Sequence, residues 1–168
     1  MRLKIIIAFL LILASFSLAY AIHETIPAET TLKVPGADVA EIYKYITALD
    51  SYNKWGLWPG TKRMSKARPP LGVINTFVND NAAYSIRKGQ TMIDSSFIVT
   101  ENYDENKNFT GLFVMYKIKD YNPSAGDWFW AQYGPRGKVV SAGQVKACID
   151  CHTKQKDNDY IFTDSFVK

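Results

Sequence analysis

Both cysteines of this 168-residue chain stand three positions apart and directly before a histidine, in Cys148-Ile149-Asp150-Cys151-His152. The pattern C-x-x-C-H is typical of covalent attachment of a c-type haem, because two thiols at this spacing can each add to one vinyl group of the same porphyrin. The histidine that follows then lies beneath the porphyrin, where its imidazole can bind the iron. The motif therefore predicts one covalent haem c, held by thioethers to Cys148 and Cys151, with His152 as the axial iron ligand.

Two other uses of paired cysteines fit the sequence less well. A thioredoxin-like redox pair belongs to a β-α unit early in its fold, whereas this pair lies near the C-terminal end of the sequence. A structural zinc site needs a second pair of ligands, and the only other histidine is the distant His23. Haem attachment remains the favoured reading.

The sixth coordination position of such an iron is expected to be open. No methionine follows His152, and the upstream candidates are Met64, Met92 and Met115. Met115 falls in an apolar strand pattern, where packing in the core is the favoured role, and nothing in the sequence positions the other two. An open face binds small molecules, whereas a filled one mainly passes electrons.

The N-terminal segment reads as a secretory signal peptide. Met1-Arg2-Leu3-Lys4 is positively charged, residues 5–13 are an unbroken apolar run, and Ala19-Tyr20-Ala21 is a small-x-small cleavage site. An uncleaved membrane anchor is the alternative, but the run is short for a spanning helix. We expect cleavage near Ala21, export to the periplasm or a similar compartment, and a soluble single haem-binding domain over residues 22–168.

Composition agrees with one folded domain and gives no support for nucleic-acid binding. Apolar residues make up 47% of the chain and aromatic residues 14%, which is enough to build a core. The formal net charge of +4 is small. The one basic stretch, residues 62–68, is expected to be a solvated loop.

Periodicity predicts a mainly antiparallel β-sheet with a few short helices, an α+β fold with the haem bound near the C-terminus. Strands are expected at residues 72–79, 95–103, 109–120 and 127–133, which are rich in β-branched and aromatic residues. Helices are expected at residues 37–47 and, more briefly, at 82–88. The alternative four-helix cytochrome architecture needs long uninterrupted helical patterns, and recurrent Gly, Pro and Asn breaks disfavour it.

Four segments resemble the cytochrome P-460 family. They are WGLWPG at residues 55–60, SSFIVTENY at 95–103, DWFWAQYGPRGKV at 127–139, and the tail at 143–163, which joins the haem motif to DYIFT. The resemblance implies a homodimer of β-sheet domains with a five-coordinate haem c. The family has two branches: hydroxylamine-oxidising enzymes, in which a lysine cross-links to the porphyrin, and cytochromes c-prime beta, which lack the cross-link and bind nitric oxide and similar gases.

Two positions depart from the pattern of the oxidising branch. Its cross-linking lysine lies in a strand before a glutamate, and the matching stretch Ile98-Val99-Thr100-Glu101 has threonine there. Its distal arginine corresponds to Asn75. Because threonine has no amine, it cannot form the cross-link, and both departures disfavour hydroxylamine oxidation.

The favoured function is therefore an exported cytochrome that binds a small diatomic ligand, such as nitric oxide, on an open face. Thr100 and Asn75 would lie near that face, together with aromatic side chains from the strands: Phe97, Phe113, Trp128 and Trp130. A hydroxylamine or nitric oxide oxidoreductase is the alternative, with Glu101 or Asp127 as proton acceptor. A simple electron carrier is the third possibility. The sequence leaves the enzyme question open and does not identify a redox partner.

Overall fold

The computed structural model describes residues 32–67 and 71–163. The expected signal peptide and His23 lie outside the described residues, as does Arg68 of the basic stretch. The elements given below all belong to one compact unit, Val34–Lys168. Within the described ranges, no helix has the length and apolar character needed to cross a membrane.

One antiparallel sheet of seven strands forms the body of the domain. Along the sheet the order is β1-β3-β4-β5-β6-β7, and the short β2 also pairs with β3. The strands are β1 Gly56–Leu57, β2 Ser65–Lys66, β3 Val73–Val78, β4 Phe97–Tyr103, β5 Phe109–Lys117, β6 Trp128–Tyr133 and β7 Val139–Gly143. The predicted α+β class with a mainly antiparallel sheet is confirmed.

Among the described residues, three short α-helices accompany the sheet: α1 Val39–Lys44, α2 Asp80–Lys88 and α3 Lys146–His152. Single 3-10 turns cover Tyr52–Lys54, Pro123–Ala125 and Pro135–Gly137, and a longer 3-10 segment, Thr153–Asn158, follows α3.

Side-chain caps fix where the first two helices begin. The Asp38 carboxylate accepts hydrogen bonds from the backbone N–H groups of Ala40 and Glu41, at 2.9 and 2.8 Å, and so satisfies two free donors at the start of α1. Asn79 caps α2 in the same way. The helix predicted at residues 37–47 continues beyond α1 as a wider π-helical turn, Tyr45–Leu49, which ends at Asp50.

The two faces of the sheet carry separate cores, because successive side chains of a strand point to opposite faces. We call the first the α1 face, where α1 covers a cluster that includes Phe97, Val99, Val114, Tyr116 and Phe129. We call the other the α3 face, where the residues packed together include Ile98, Trp128, Trp130 and, from α2 and α3, Ala82 and Cys148. The strand register therefore decides which side chains can approach the haem motif.

All four predicted strands and both predicted helices are present. β5 ends at Lys117, earlier than predicted, because Ile118 N–H donates to the Asp127 carbonyl and closes the turn to β6. β1, β2 and β7 were not predicted. β2 lies in the basic stretch expected to be a solvated loop, and β7 follows a Pro-containing turn with Val139 and Val140 exposed at the sheet edge.

Candidate haem site

The three residues of the motif share one side of α3. Positions i, i+3 and i+4 of a helix lie one above another, which brings Cys148, Cys151 and His152 together. Both thiols are free; Cys148 is half-buried and Cys151 is exposed. Burial, with a smaller contribution from Cys151, raises the pKa of the Cys148 thiol.

The imidazole of His152 is held with one nitrogen already engaged. Its Nδ1 lies 2.6 Å from the carbonyl oxygen of Tyr160, so Nδ1 carries the proton and donates it, and Nε2 is left as the metal-binding atom. Burial lowers the pKa of His152, which favours the neutral form that binds iron. The ring packs against Trp130 and Phe162, with centroid distances of 4.5 and 4.9 Å.

The tail after the motif is anchored to the sheet by Asp159. This buried carboxylate lies 2.6 Å from the Lys117 ammonium of β5 and accepts a hydrogen bond from the Met92 backbone N–H at 2.7 Å. Its carbonyl accepts from the Trp128 indole at 3.0 Å. Asp159 and Tyr160 both have left-handed backbone angles, φ +51° and +65°, and this tight turn directs the Tyr160 carbonyl to His152.

Beside the area that α3 covers, the α3 face has a row of half-buried side chains that we call the open strip. It runs across β3, β4, β5 and β6 through the register partners Thr76, Thr100, Phe113 and Gln132. The hydroxyl oxygens of Thr76 and Thr100 are 3.3 Å apart. The adjacent row, which includes Ile98 and Trp130, is buried under the motif. The open strip is therefore a partly exposed surface of the sheet next to the haem motif.

Only some of the predicted pocket residues lie on the α3 face. Thr100 and Phe113 belong to the open strip, whereas Trp128 and Trp130 are buried in the cluster that packs against the motif. Phe97 lies on the α1 face, fully buried, with its ring stacked 3.9 Å from that of Tyr116. This placement corrects the expectation that Phe97 lines a pocket beside His152, because strand alternation points its side chain to the opposite side of the sheet.

The remaining candidates are engaged in structural contacts. The Glu101 carboxylate accepts hydrogen bonds on the α1 face from Tyr52 (3.0 Å), Asn75 (2.6 Å) and Tyr103 (2.9 Å). Burial and this carboxylate raise the pKa of Tyr52. Asn75 therefore lies away from the open strip, contrary to expectation. Asp127 accepts from a backbone N–H within the turn before β6.

Three residues that hold the site together, Tyr160, Asp159 and Lys117, had no predicted role. Tyr160 contributes only a backbone oxygen, so its side-chain type gives no signal. Lys117 and Asp159 are separated by 42 positions, and no local pattern relates them. Asp159 follows the motif by only a few positions, which is a weak signal of a role in the site. Its role is clear only from the turn that it forms in the structure.

The residues present fit a haem c. Two free thiols and a histidine with one ring nitrogen already bonded are the donor set that this cofactor requires. In the described ranges, no group of three or more His, Cys, Asp or Glu side chains is arranged to hold a metal ion on its own. Of the methionines, Met92 and Met115 pack in the cluster beneath the motif.

Comparison with known proteins agrees with this geometry. No curated protein matches the chain. A family model, Cytochrome P460, matches residues 49–163, a range that contains the seven strands described above and the entire haem motif. Members of this family are cytochromes with a haem c cofactor. The match covers more than half of the sequence and confirms the resemblance found in the four segments: the chain belongs to the cytochrome P460 family.

Proposed function

We propose that this protein is an exported monohaem c-type cytochrome that binds a small diatomic ligand, such as nitric oxide, at an open iron position. Cys148 and Cys151 hold the single haem through thioethers, and His152 is the axial ligand. The observation that carries the proposal is the chemistry of the open strip. Its side chains are two hydroxyls, one amide and one phenyl ring, with neither an amine nor a carboxylate among them.

This composition supports ligand binding over hydroxylamine oxidation. The cross-link of the oxidising branch needs a lysine amine, and Thr100 has a hydroxyl that pairs with Thr76 instead. An oxidase also needs a proton acceptor near the iron. The two candidates, Glu101 and Asp127, are engaged on the α1 face and in a turn, respectively. Family membership keeps a hydroxylamine or nitric oxide oxidoreductase as the second candidate.

Each part of the site has a definable task. The bound haem supplies an iron with a coordination position for the diatomic ligand. The Tyr160 carbonyl fixes the orientation of His152 and strengthens its imidazole as a donor to the metal. One of the Thr76 and Thr100 hydroxyls donates to the other, and the second hydroxyl can then donate its hydrogen to a ligand atom. The Phe113 ring favours neutral gases because anions lose hydration against an apolar surface.

Export and dimerisation are part of the proposal. The signal-like N-terminal sequence supports export, since haem is attached to this motif outside the cytoplasm. The exposed edge strand β7 supports a homodimer: Val139 and Val140 are 45% and 57% exposed, and an apolar strand edge is a favourable surface for pairing with a second copy. A redox partner protein would be needed for any electron transfer, and its identity is open.

Absorption spectra of the matured protein test the proposal. We expect a covalent haem that resists acid–acetone extraction, a high-spin five-coordinate ferrous spectrum, and a clear change on addition of nitric oxide. Colourless protein would overturn haem binding. A low-spin six-coordinate spectrum that nitric oxide leaves unchanged would instead indicate an electron carrier. Turnover of hydroxylamine with an electron acceptor would establish the oxidoreductase.

A further inference from the structure

The turn that brings the Tyr160 carbonyl to His152 has an unfavourable backbone conformation. Asp159 and Tyr160 are consecutive residues with φ angles of +51° and +65°. Left-handed angles are unfavourable for residues that carry a Cβ, and such residues usually adopt them singly. Two in succession persist only where the surrounding structure holds them, so the contacts that hold this turn are informative.

The contacts of Asp159 tie the turn to the sheet. Its carboxylate lies 2.6 Å from the Lys117 ammonium of β5 and accepts a hydrogen bond from the Met92 N–H, between α2 and β4, at 2.7 Å. Its backbone carbonyl accepts from the Trp128 indole of β6. Because the ion pair is buried, salt and water screen its attraction little, and the carboxylate is kept in one position.

The same turn reaches the axial ligand through one backbone oxygen. The Tyr160 carbonyl lies 2.6 Å from Nδ1 of His152. A carbonyl cannot move independently of its turn, so the side chain of Asp159 controls the length of this hydrogen bond. The bond makes the imidazole a stronger donor to a metal, and hydrogen bonding around an axial ligand is one of the factors that set the reduction potential of a haem.

We infer that Asp159 is a positioning residue for the iron: together with Lys117 it holds the Tyr160 carbonyl against His152, and so sets the strength of the iron–histidine bond and the reduction potential. The inference rests on the proposed covalent haem. It gives a functional role to a β5 lysine and a tail carboxylate that lie outside the C-x-x-C-H motif. Loosening the turn should weaken the iron–histidine bond and raise the potential, because a weaker donor stabilises ferric iron less.

The iron–histidine stretching band in the resonance Raman spectrum of the ferrous, haem-loaded protein tests this role. Asp159→Ala removes the side-chain contacts to both Lys117 and Met92, and should shift the band to lower frequency. Asp159→Asn keeps an acceptor for the Met92 N–H, so it should shift the band in the same direction but less. Redox titration should give potentials that rise in the same order.

Lys117→Met separates the effect of the turn from the effect of charge alone. Removing a nearby positive charge lowers a reduction potential, whereas removing the negative charge of Asp159 raises it. If the turn matters, the iron–histidine band should fall in Lys117→Met as it does in Asp159→Asn. Potentials that move in opposite directions in these two variants, with an unchanged band in both, would show that only charge acts and would overturn the inference.

Asp50→Asn is the matched control, because it makes the same substitution at a carboxylate on the α1 face. Trp55 donates to this carboxylate at 2.8 Å, so the variant should lose some Tm but keep the iron–histidine band of the parent. An equal shift of the band in Asp50→Asn would reduce the effect of Asp159 to general destabilisation and refute its positioning role. A coloured parent with unresponsive Asp159 variants refutes this inference alone, whereas a colourless parent refutes the proposed function and this inference with it.

Discussion

Replacing Asp159 by asparagine should destabilise the domain by about 3 kcal/mol. The side chains of Lys117 and Asp159 are only 12% and 4% exposed and lie 2.6 Å apart. Breaking a buried pair leaves an uncompensated charge, which costs about 3–5 kcal/mol. The lower end applies here because the ammonium remains 4.7 Å from the centre of the Trp128 ring, a favourable cation–π distance.

Asparagine isolates the charge from the other roles of residue 159. Its side-chain oxygen can still accept from the Met92 N–H, and asparagine tolerates the left-handed backbone found there. Urea unfolding followed by far-ultraviolet circular dichroism measures the loss in the free energy of unfolding. In a thermal melt, Tm should fall by about 10 °C. Because the pair is buried, raising the salt concentration should change this loss little.

An exposed ion pair in the same molecule supplies the control. Lys146 and Asp150 also form a pair, but their side chains are 85% and 59% exposed. Lys146→Gln should therefore cost less than about 0.5 kcal/mol. The double variant Lys117→Met with Asp159→Asn should lose less stability than the two single variants added together. If Asp159→Asn costs no more than Lys146→Gln, the argument from burial is refuted.

Three further perturbations test other parts of the structure. Thr100→Lys places an amine on the open strip and should produce a red-shifted Soret band in the haem-loaded protein if a cross-link forms; Thr100→Met, of similar length without an amine, should not. Burial and Asp50 raise the pKa of Tyr45 to about 12. The pKa of a tyrosine in the unfolded chain is about 10. The stabilisation that neutral Tyr45 gives the folded state is therefore complete below that pH and lost as the pH rises towards 12. Between about pH 9 and 11.5, the Tm of Tyr45→Phe should fall less than that of the parent protein. Gly111 has φ +148°, and an added Cβ would lie 2.2 Å from the Tyr133 carbonyl oxygen. Gly111→Ala should therefore lower the free energy of unfolding by more than about 3 kcal/mol. The control Gly56→Ala, with no atom within 4 Å of its Cβ, should lower it by less than about 1 kcal/mol.

The sequence predicted the residues of the haem motif more readily than the strands and side chains around them. The haem motif specifies its own ligands because their spacing matches one helical turn. The four predicted strands were identifiable because β-branched and aromatic residues cluster in them. β7 gave a weaker signal, since an edge strand packs on one side only and its valines are exposed.

The assignment of strand residues to the two faces required the structure. In β4, alternation separates Phe97 and Val99 from Ile98 and Thr100, but both sets suit a buried surface. Which set faces the haem motif is decided by where α3 docks, and α3 follows β4 by more than 40 positions. An aromatic residue such as Phe97 was therefore as plausible a pocket residue as Phe113 until the register was known.

Because one backbone serves both faces of the sheet, the side chains beside the haem motif and those of the α1 face can change almost independently during evolution. Substitutions at Thr76, Thr100, Phe113 or Gln132 change the open strip while the hydrophobic interior beneath α1 stays intact. Inserting or deleting one amino acid within β4 would instead disturb both faces, because the side chains of the α1 face and those of the α3 face would exchange places along part of the strand. Natural variation among relatives should consequently accumulate as point changes in these strands, with length differences confined to the connecting loops.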